Sequence, residues 1–258
     1  MAGSGSAWPA PIEHLAVASS TNDVLKERAR EGAPEWSVVV ADVQTAGRGR
    51  HGQAWASAAG NLHLSVLVRP HGNASTWGRL PLLAGLAVAE AVAAPGIEPA
   101  LKWPNDVWVA GRKVAGVLVE SVFTGGALES AVIGVGVNVT AVPEGLDADA
   151  RAGAACLADF VAAPDVAELA AAVLARIRVW YHRLAAGGGG DLMAAWRARA
   201  LPWWGRHVEA KSGDEVRRGR AIDVHESGAL ILLLDDGTTS LLHAGEVREL
   251  RTDSPPHR

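Results

Sequence analysis

A loop rich in glycine and arginine places the strongest constraint on this chain. It is the segment QTAGRGRHGQAW at 44–55, which follows a short β-branched run at 38–40. Its glycines permit backbone conformations that a Cβ would block, and its arginines can bring planar, charged guanidiniums to a phosphate. The spacing is neither the dinucleotide fingerprint G-x-G-x-x-G nor the phosphate loop G-x-x-x-x-G-K-[ST]. The loop alone therefore fits either an anion-binding segment or a solvated surface loop.

Composition limits the class of protein and its partners. A length of 258 residues suits one large domain, or one domain with a small second one. The net charge of -4 argues against a nucleic-acid coat and against binding to an anionic membrane. The single cysteine, Cys156, excludes an internal disulfide and fits a reducing compartment. The N-terminus has no signal-sequence pattern, so we expect a soluble cytoplasmic protein.

Hydrophobic periodicity and helix end signals predict a chain of mixed helices and strands. We predict helices at 20–31, 77–94, 165–186 and 191–200, and strands at 36–41, 61–69 and 130–139. The strand at 61–69 alternates apolar and polar residues, so one of its faces is expected to be solvated. Ser20 or Thr21 is the expected cap of the first helix, and a helix start also suits a polar ligand head.

A hairpin is predicted over 101–120. Pro104 interrupts its first strand, and Ala110-Gly111 supplies the turn. Lys113 enters the second strand among apolar neighbours. A lysine at such a position is either a charge that protects a sheet edge or a cation that faces a ligand.

The strand at 130–139 carries glycines on one face. Gly134 and Gly136 are two residues apart, which is the spacing of residues on the same side of a strand. Glycines in a strand often mark the close approach of a ligand or another backbone. Asn138 continues this face, and its amide could pair with the edge of a flat ring.

The end of the chain changes to short strands with tight turns. We predict strands at 207–211, 217–225, 229–234, 238–243 and 247–250. Their number and spacing indicate a small barrel. The expected domains are a catalytic domain at 1–203 and a barrel at 204–252, followed by a disordered tail at 253–258.

Five motifs together resemble the biotin protein ligase family. They are STN at 20–22, QTAGRGRHG at 44–52, KWPND at 102–106, GRKVAG at 111–116 and GVGVNV at 134–139. The resemblance is strong over about 15–140 and weaker through the terminal strands. It implies an α+β catalytic domain with a mixed sheet, similar to class II aminoacyl-tRNA synthetases, followed by a small SH3-like β-barrel. Fewer than twenty residues precede Ser20, so we expect the ligase-only type, without an N-terminal DNA-binding domain.

The resemblance also implies the reaction. Biotin would be activated by ATP, with magnesium, as biotinyl-5′-AMP. The biotinyl group would then pass to a lysine of the biotin carboxyl carrier domain of a carboxylase. No enzyme nucleophile is needed for this chemistry, so the site must supply charge and position. Neither nucleic acid nor membrane is an expected partner, and the oligomeric state stays open.

Site residues follow from the family pattern. The residues implied for the ureido head of biotin and the pocket mouth are Ser20, Thr21, Asn22 and Gln44. The residues implied for the loop over biotin and the adenylate are Arg48, Gly49 and Arg50. Lys113 is implied at the carboxylate and α-phosphate, and Gly116 beneath the biotin chain. The residues implied for adenine and ATP are Trp55, Asn105 and Asn138. The implied catalytic residues are Lys113, Arg48, Arg50 and Asp106; Asn105 and Asp106 would lie near the phosphates and the metal, whose ligands are not assigned.

Three other functions compete with this one. A lipoate–protein ligase would share the fold and the adenylate step, but GRGRHG and KWPND favour biotin. A non-catalytic biotin sensor is disfavoured because Lys113 and the glycine-arginine loop are intact. An RNA-binding segment would need clustered basic charge and stacking aromatics. His51 and Gln53 depart from the family pattern, and their roles are not assigned.

Overall fold

The structure, a computed structural model, describes residues 8–94, 96–124, 127–212, 215–243 and 245–249. Helices and strands are mixed as far as residue 197, and the helices and strands described after it are all strands. In chain order the elements are β1 (Ile12–Ala18), α1 (Thr21–Arg30), β2 (Val38–Gln44), β3 (Leu62–Val68), α2 (Ala74–Trp77), α3 (Leu80–Val92), β4 (Ala100–Lys102), β5 (Asp106–Val109), β6 (Arg112–Thr124), β7 (Ala127–Val137), α4 (Ala148–Ala152), α5 (Val166–Ala185), α6 (Gly189–Arg197), β8 (His207–Ser212), β9 (Glu215–Val224), β10 (Leu230–Leu233), β11 (Thr239–Leu242) and β12 (Glu246–Glu249).

Seven strands form one mixed sheet in the order β1-β2-β3-β7-β6-β5-β4. β1 and β2 are parallel, and the other neighbouring pairs are antiparallel. α1 packs on one face of the sheet through Leu25, which meets Leu67 and Val132. α3 and α5 pack on the opposite face, where Leu64 and Val66 belong to the main core. The middle strands are therefore covered on both faces.

β3 corrects one prediction. The alternation at 61–69 predicted a half-buried strand, but every residue of β3 is buried. His63 and Ser65, expected on a solvated face, are 1% and 0% exposed. Ser65 lies against Thr21 and Asn22 of α1, and His63 lies against Ser57 and the Ala41 carbonyl. Buried polar side chains need hydrogen-bond partners, so this face belongs to a polar site rather than to a solvated surface.

The helices follow the predictions with three differences. The helix expected at 77–94 begins at Leu80, as α3, and Trp77 instead ends the separate short helix α2. The short helix α4 has no counterpart among the predictions. Ser20 is the N-cap residue of α1, but its side chain makes no capping hydrogen bond. The first amide of the helix, that of Thr21, instead donates to Gln44 Oε1 at 2.8 Å. A residue of the glycine-arginine loop therefore substitutes for the local cap.

The predicted hairpin is present. Ala110 and Gly111 both have positive φ, 46° and 77°, as a tight two-residue turn between β5 and β6 requires. Pro104 separates β4 from β5 and follows a cis peptide bond. Lys113 lies opposite Trp108 of β5, and on its other side its backbone amide and carbonyl are hydrogen-bonded to Gly153 and Ala155. Lys113 is therefore not at a free sheet edge, which excludes its interpretation as a charge that protects one.

The five terminal strands form a separate antiparallel sheet in the order β11-β10-β9-β8-β12. Each predicted strand is present within a few residues. Over the described residues, β11 and β12 are not paired with each other, so no closed barrel is found there and the barrel stays a prediction. It contacts the larger unit, since Trp103 Nε1 donates to the Gly228 carbonyl at 2.9 Å. The predicted tail at 253–258 lies outside the described residues.

Within the described parts of the chain, no helix has both the length and the apolar character that crossing a bilayer requires.

Candidate active site

Three glycines on neighbouring strands form a flat surface, here called the glycine face. Gly116 of β6 and Gly136 of β7 are directly opposite each other in the sheet, and Gly134 lies on the same side of β7. The indole of Trp55 covers the first pair. A Cβ built on Gly116 would lie 3.0 Å from Trp55 Cζ3, and one on Gly136 would overlap the ring. The predicted close approach to these glycines is thus made by a side chain of the glycine-arginine loop.

Asn22 occupies the other end of the glycine face. A Cβ built on Gly134 would overlap its amide group. Asn22 Nδ2 donates to Glu120 Oε2 at 2.7 Å, and its Oδ1 accepts from the Ser65 hydroxyl at 2.6 Å. The second N–H of Nδ2 is directed at the Leu118 carbonyl at 3.4 Å. These contacts fix the orientation of the amide and leave one lone pair of Oδ1 for a ligand.

The head pocket, defined as Ser20, Thr21, Asn22 and Gln44, is built around one glutamine. Gln44 Oε1 accepts from the Thr21 amide at 2.8 Å and from its hydroxyl at 3.2 Å. Ser20, Thr21 and Asn22 are each 3% exposed. The sequence motifs at 20–22 and at 44 are therefore brought into contact.

A buried histidine supports Gln44. The backbone N–H of Gln44 donates to Ser57 Oγ at 2.9 Å, and Ser57 Oγ lies 3.0 Å from His63 Nε2. His63 Nδ1 lies 3.3 Å from the Ala41 carbonyl, so Nδ1 carries the proton and Nε2 accepts from Ser57. Burial lowers the pKa of His63 despite the opposing hydrogen bond to the Ala41 carbonyl. The ring is thus neutral near pH 7.

Arg48 binds two carboxylates. Its guanidinium makes a two-pronged contact with Asp23, with Nη2 2.6 Å from Oδ1, and Nη2 also lies 3.3 Å from Glu120 Oε2. Lys26 Nζ lies 2.8 Å from Glu120 Oε1. The hydrogen bond from Arg48 lowers the pKa of Asp23 to about 2, against the effect of burial. Burial also opposes ionisation of Glu120, but hydrogen bonds from Lys26 and Asn22 outweigh it and lower its pKa.

The rest of the loop is folded on itself. The Trp55 amide donates to the Gly47 carbonyl at 2.9 Å, and the Gly49 amide donates to the Gln53 carbonyl at 2.7 Å. Arg50 extends the other way, and its Nη1 donates to the Gly245 carbonyl of the terminal sheet at 3.1 Å. The two arginines of the loop therefore contact different parts of the molecule.

Lys113 lies beside the Trp55 end of the glycine face. Its Nζ is 2.8 Å from Asp106 Oδ1 and 5.4 Å from the centre of the Trp55 ring. The side chain of Lys113 is 33% exposed and that of Asp106 is 18% exposed. A cation in this half-buried position, next to an aromatic ring, can meet an anionic ligand.

Two predicted adenine or phosphate contacts have partners within the fold. Asn105 Nδ2 donates to the Val117 carbonyl, and the Asn105 carbonyl accepts from the Val117 amide at 3.0 Å. Asn138 Nδ2 donates to the Ala155 carbonyl at 3.1 Å, and its side chain is buried. Both residues hold the strands that carry the glycine face.

Sequence reasoning missed the residues that support the site: Asp23, Lys26, Ser57, His63, Ser65 and Glu120. The available signals were weak. Ser65 is a polar residue inside an apolar strand, and Glu120 is a charge in a similar strand. In the described parts of the chain, no three His, Cys, Asp or Glu side chains are grouped to hold a metal ion.

Comparison with known proteins gives two family matches. Residues 15–138 match the biotin/lipoate A/B protein ligase family, and residues 204–248 match the biotin protein ligase C-terminal domain. The first covers the head pocket, the glycine-arginine loop and the glycine face, and the second covers most of the terminal sheet.

Individual proteins extend the similarity to nearly the whole chain. A biotin–[acetyl-CoA-carboxylase] ligase of Mycobacterium tuberculosis is 41% identical, over 96% of this chain and 92% of that protein. A ligase of the same name from Paracoccus denitrificans is 33% identical, over 84% of this chain and 92% of that protein. Among solved structures, the biotin protein ligase of Aquifex aeolicus in complex with biotin and ATP superposes with a TM-score of 0.78 and 29% identity, covering 94% and 99% of the two chains.

Proposed function

The chain belongs to the biotin protein ligase family, and we propose that its glycine face is where biotin and ATP meet. The chain has the fold of this family, a mixed sheet with a terminal antiparallel sheet. It is an ATP-dependent ligase that activates biotin as biotinyl-5′-AMP and transfers it to a carrier protein. One observation supports the proposed site: Asn22 at Gly134 and Trp55 at Gly136 cover adjacent positions on one face of β7.

The head pocket is suited to the ureido ring of biotin. A cyclic urea presents one carbonyl acceptor and two N–H donors. Thr21, Asn22 and Gln44 supply both donors and acceptors in a buried setting. A buried group left without its partner is penalised, so this pocket selects a ligand that can complete its hydrogen bonds. Ser20 completes the wall.

Lys113 supplies the charge for the first step. The biotin carboxylate attacks the α-phosphorus of ATP, and pyrophosphate leaves. Negative charge is concentrated between the two reacting groups, so a cation fixed there stabilises the transition state. Asp106, 2.8 Å away, keeps the ammonium in place between the glycine face and the phosphates. A larger side chain at position 116 would press against Lys113 and Trp55. Gly116 therefore leaves room for the valeryl chain of biotin.

Trp55 is proposed to stack on the adenine ring, and Asn138 to pair with it through its side-chain amide. Asn105 is proposed to support the phosphates of ATP. Gly49 and Arg50 would complete the cover over the adenylate. Arg48 has two carboxylate partners, so we assign it to anchoring this cover and Arg50 to contacting it from the side of the terminal sheet.

Magnesium fits this arrangement as an ion carried by ATP. Magnesium is commonly bound through one or two carboxylates together with substrate phosphates. Asp106 is the carboxylate nearest the proposed phosphate position, and in the described parts of the chain no three-residue acidic group provides a separate site. When bound, the ion would neutralise phosphate charge and orient the leaving pyrophosphate.

The finer features of the family are also proposed for this chain. They are a synthetase-like catalytic domain at 1–203, an SH3-like barrel at 204–252 and a carboxylase carrier domain as the acceptor. The family match at 204–248 and the hydrogen bond that Trp103 Nε1 donates to the Gly228 carbonyl support a distinct second unit docked beside the site. The single cysteine favours a reducing compartment such as the cytoplasm.

Biotin-dependent exchange of labelled pyrophosphate into ATP tests the adenylate step without an acceptor. The wild-type protein should catalyse exchange with biotin and not with lipoate. Exchange that depends on lipoate instead would identify the head pocket as a lipoyl site.

A further inference from the structure

Arg48 sits between residues from two distant parts of the sequence. Asp23 belongs to the first turn of α1, and Glu120 lies in β6. Together these two carboxylates are here called the Arg48 seat. The guanidinium contacts both oxygens of Asp23 and approaches both oxygens of Glu120 at 3.3 Å. Fork-like contacts of this kind fix orientation as well as position.

The seat shares residues with the head pocket. Asp23 follows Asn22 directly in the chain, and Glu120 accepts a hydrogen bond from Asn22 Nδ2 at 2.7 Å. The carboxylate that holds Arg48 thus also orients the amide on the glycine face. A shift of Glu120 would disturb both.

The seat also controls where Trp55 lies. Arg48 is paired with Ala54 across the loop, and the Trp55 amide donates to the Gly47 carbonyl at 2.9 Å. Arg48 is therefore next to Gly47, and Ala54 is next to Trp55, so the two pairs lie side by side across the loop. Holding Arg48 therefore holds the indole on Gly116 and Gly136.

Charge is balanced within the group. Arg48 and Lys26 face Asp23 and Glu120, and Lys26 also lies 3.0 Å from Asp23. The pKa of each carboxylate is lowered, so both stay ionised at neutral pH. Neutralising either one would leave Arg48 with a single carboxylate partner.

We propose that Asp23 and Glu120 are positioning residues, which act through Arg48 to couple the head pocket to the closure of the loop over Trp55. The inference rests on the proposed site, because it assigns the two ends of the glycine face to biotin and to ATP. Neither carboxylate touches the reacting atoms. Their effect is to keep Asn22 and Trp55 in place before the substrates arrive.

The test compares Asp23→Asn and Glu120→Gln with Glu27→Gln. Glu27 is a matched control because it also pairs with an arginine, Arg30, but on the exposed side of α1. The first measurement is amide hydrogen exchange of residues 46–55 in the ligand-free protein, with α5 as an internal reference. The second is the KM for biotin and for ATP in pyrophosphate exchange.

The expected result is faster loop exchange relative to α5 in both seat variants, and a KM increase of about fivefold for both substrates, in the range of a partly exposed ion-pair network. Asp23→Glu should recover most of the loss, because it restores the charge. Glu27→Gln should match wild type in both measurements.

The proposal is overturned if the seat variants match Glu27→Gln, or if exchange rises equally in the loop and in α5. The exchange measurement needs no substrate. It therefore tests the seat even if wild-type protein were to show no biotin-dependent activity, which would count against the proposed function instead.

Discussion

Lys113 and Asp106 form an ion pair across two neighbouring strands, with 2.8 Å between Nζ and Oδ1. Lys113 follows the turn of the hairpin, and Asp106 ends the KWPND segment. Two motifs that looked independent in the sequence therefore make one charged unit beside Trp55.

Lys113→Gln should impair adenylate formation. A lost cation over developing phosphate charge typically costs about 10²–10³ in rate. Biotin-dependent pyrophosphate release measures this directly. Lys211→Gln, in the terminal sheet, is the control and should keep wild-type rates. Near-normal release by the Lys113 variant would remove this residue from the catalytic role.

Two glycine substitutions should separate the two substrates. Gly134→Ala would press on Asn22, and Gly136→Ala would press on Trp55. We expect the first to raise mainly the KM for biotin and the second mainly the KM for ATP, each by about tenfold or more, because a Cβ there overlaps existing atoms.

Gly190→Ala is the control for both glycine variants, since a Cβ at that position meets nothing within 4 Å. If Gly134→Ala and Gly136→Ala raised the same KM to the same extent, the assignment of the two ends of the glycine face would be wrong.

Replacing Arg48 with glycine should make the enzyme promiscuous. Without its carboxylate partners the loop would be held less firmly, and the mixed anhydride would escape to react with other amines. The measurement is biotin incorporated into an unrelated lysine-rich protein in the presence of ATP. Arg30→Gly, on the exposed side of α1, controls for loss of an arginine. If the variant still makes adenylate but labels the unrelated protein no more than wild type does, Arg48 does not retain the adenylate. Arg50 would then be the next residue to test for this role.

His63 should give stability a pH dependence. Its pKa is lowered from 6.5 in the folded protein, so below about that pH the unfolded chain binds more protons than the folded one. The stability from neutral His63 is present above pH 6.5 and is lost as pH falls through the folded-state pKa. Thermal unfolding between pH 7.5 and about 5 should show this loss.

The comparison for His63 is His63→Gln, which cannot titrate. Its melting temperature should fall less over the same interval, although it is lower at pH 7.5. Parallel curves for the two proteins would mean that His63 does not titrate differently on folding. The pKa of Asp23 is lowered from 3.8 to about 2, so its protonation changes the stability only at lower pH, outside this interval.

The sequence predicted most elements because their signals are local. The turn at Ala110-Gly111, the long helix α5 and the five terminal strands all follow from periodicity and turn residues. β3 shows the limit of that reasoning. Its alternation is real, but no local pattern reveals that α1 covers the second face. In the same way, local patterns predict the five terminal strands but do not reveal whether the two outer strands, β11 and β12, pair with each other.

The residues of the candidate site were predictable as a group where they belong to a motif, although their roles stay predictions. Lys113, Trp55 and Gly136 were singled out and lie together in the structure. The partners of Arg48 were not predictable, because Asp23 looks like an ordinary first-turn acid and Glu120 is 97 residues away from it in the sequence. Only the folded sheet brings these residues to one point.

The most direct test of the account is transfer of labelled biotin to a purified biotin carboxyl carrier domain. Wild-type protein with ATP and magnesium should label the carrier, and substitution of the carrier's acceptor lysine by arginine should abolish labelling. Excess lipoate should not compete, and Lys113→Gln should transfer far less. Labelling that is independent of ATP, or that lipoate suppresses at equal concentration, would contradict the central claim.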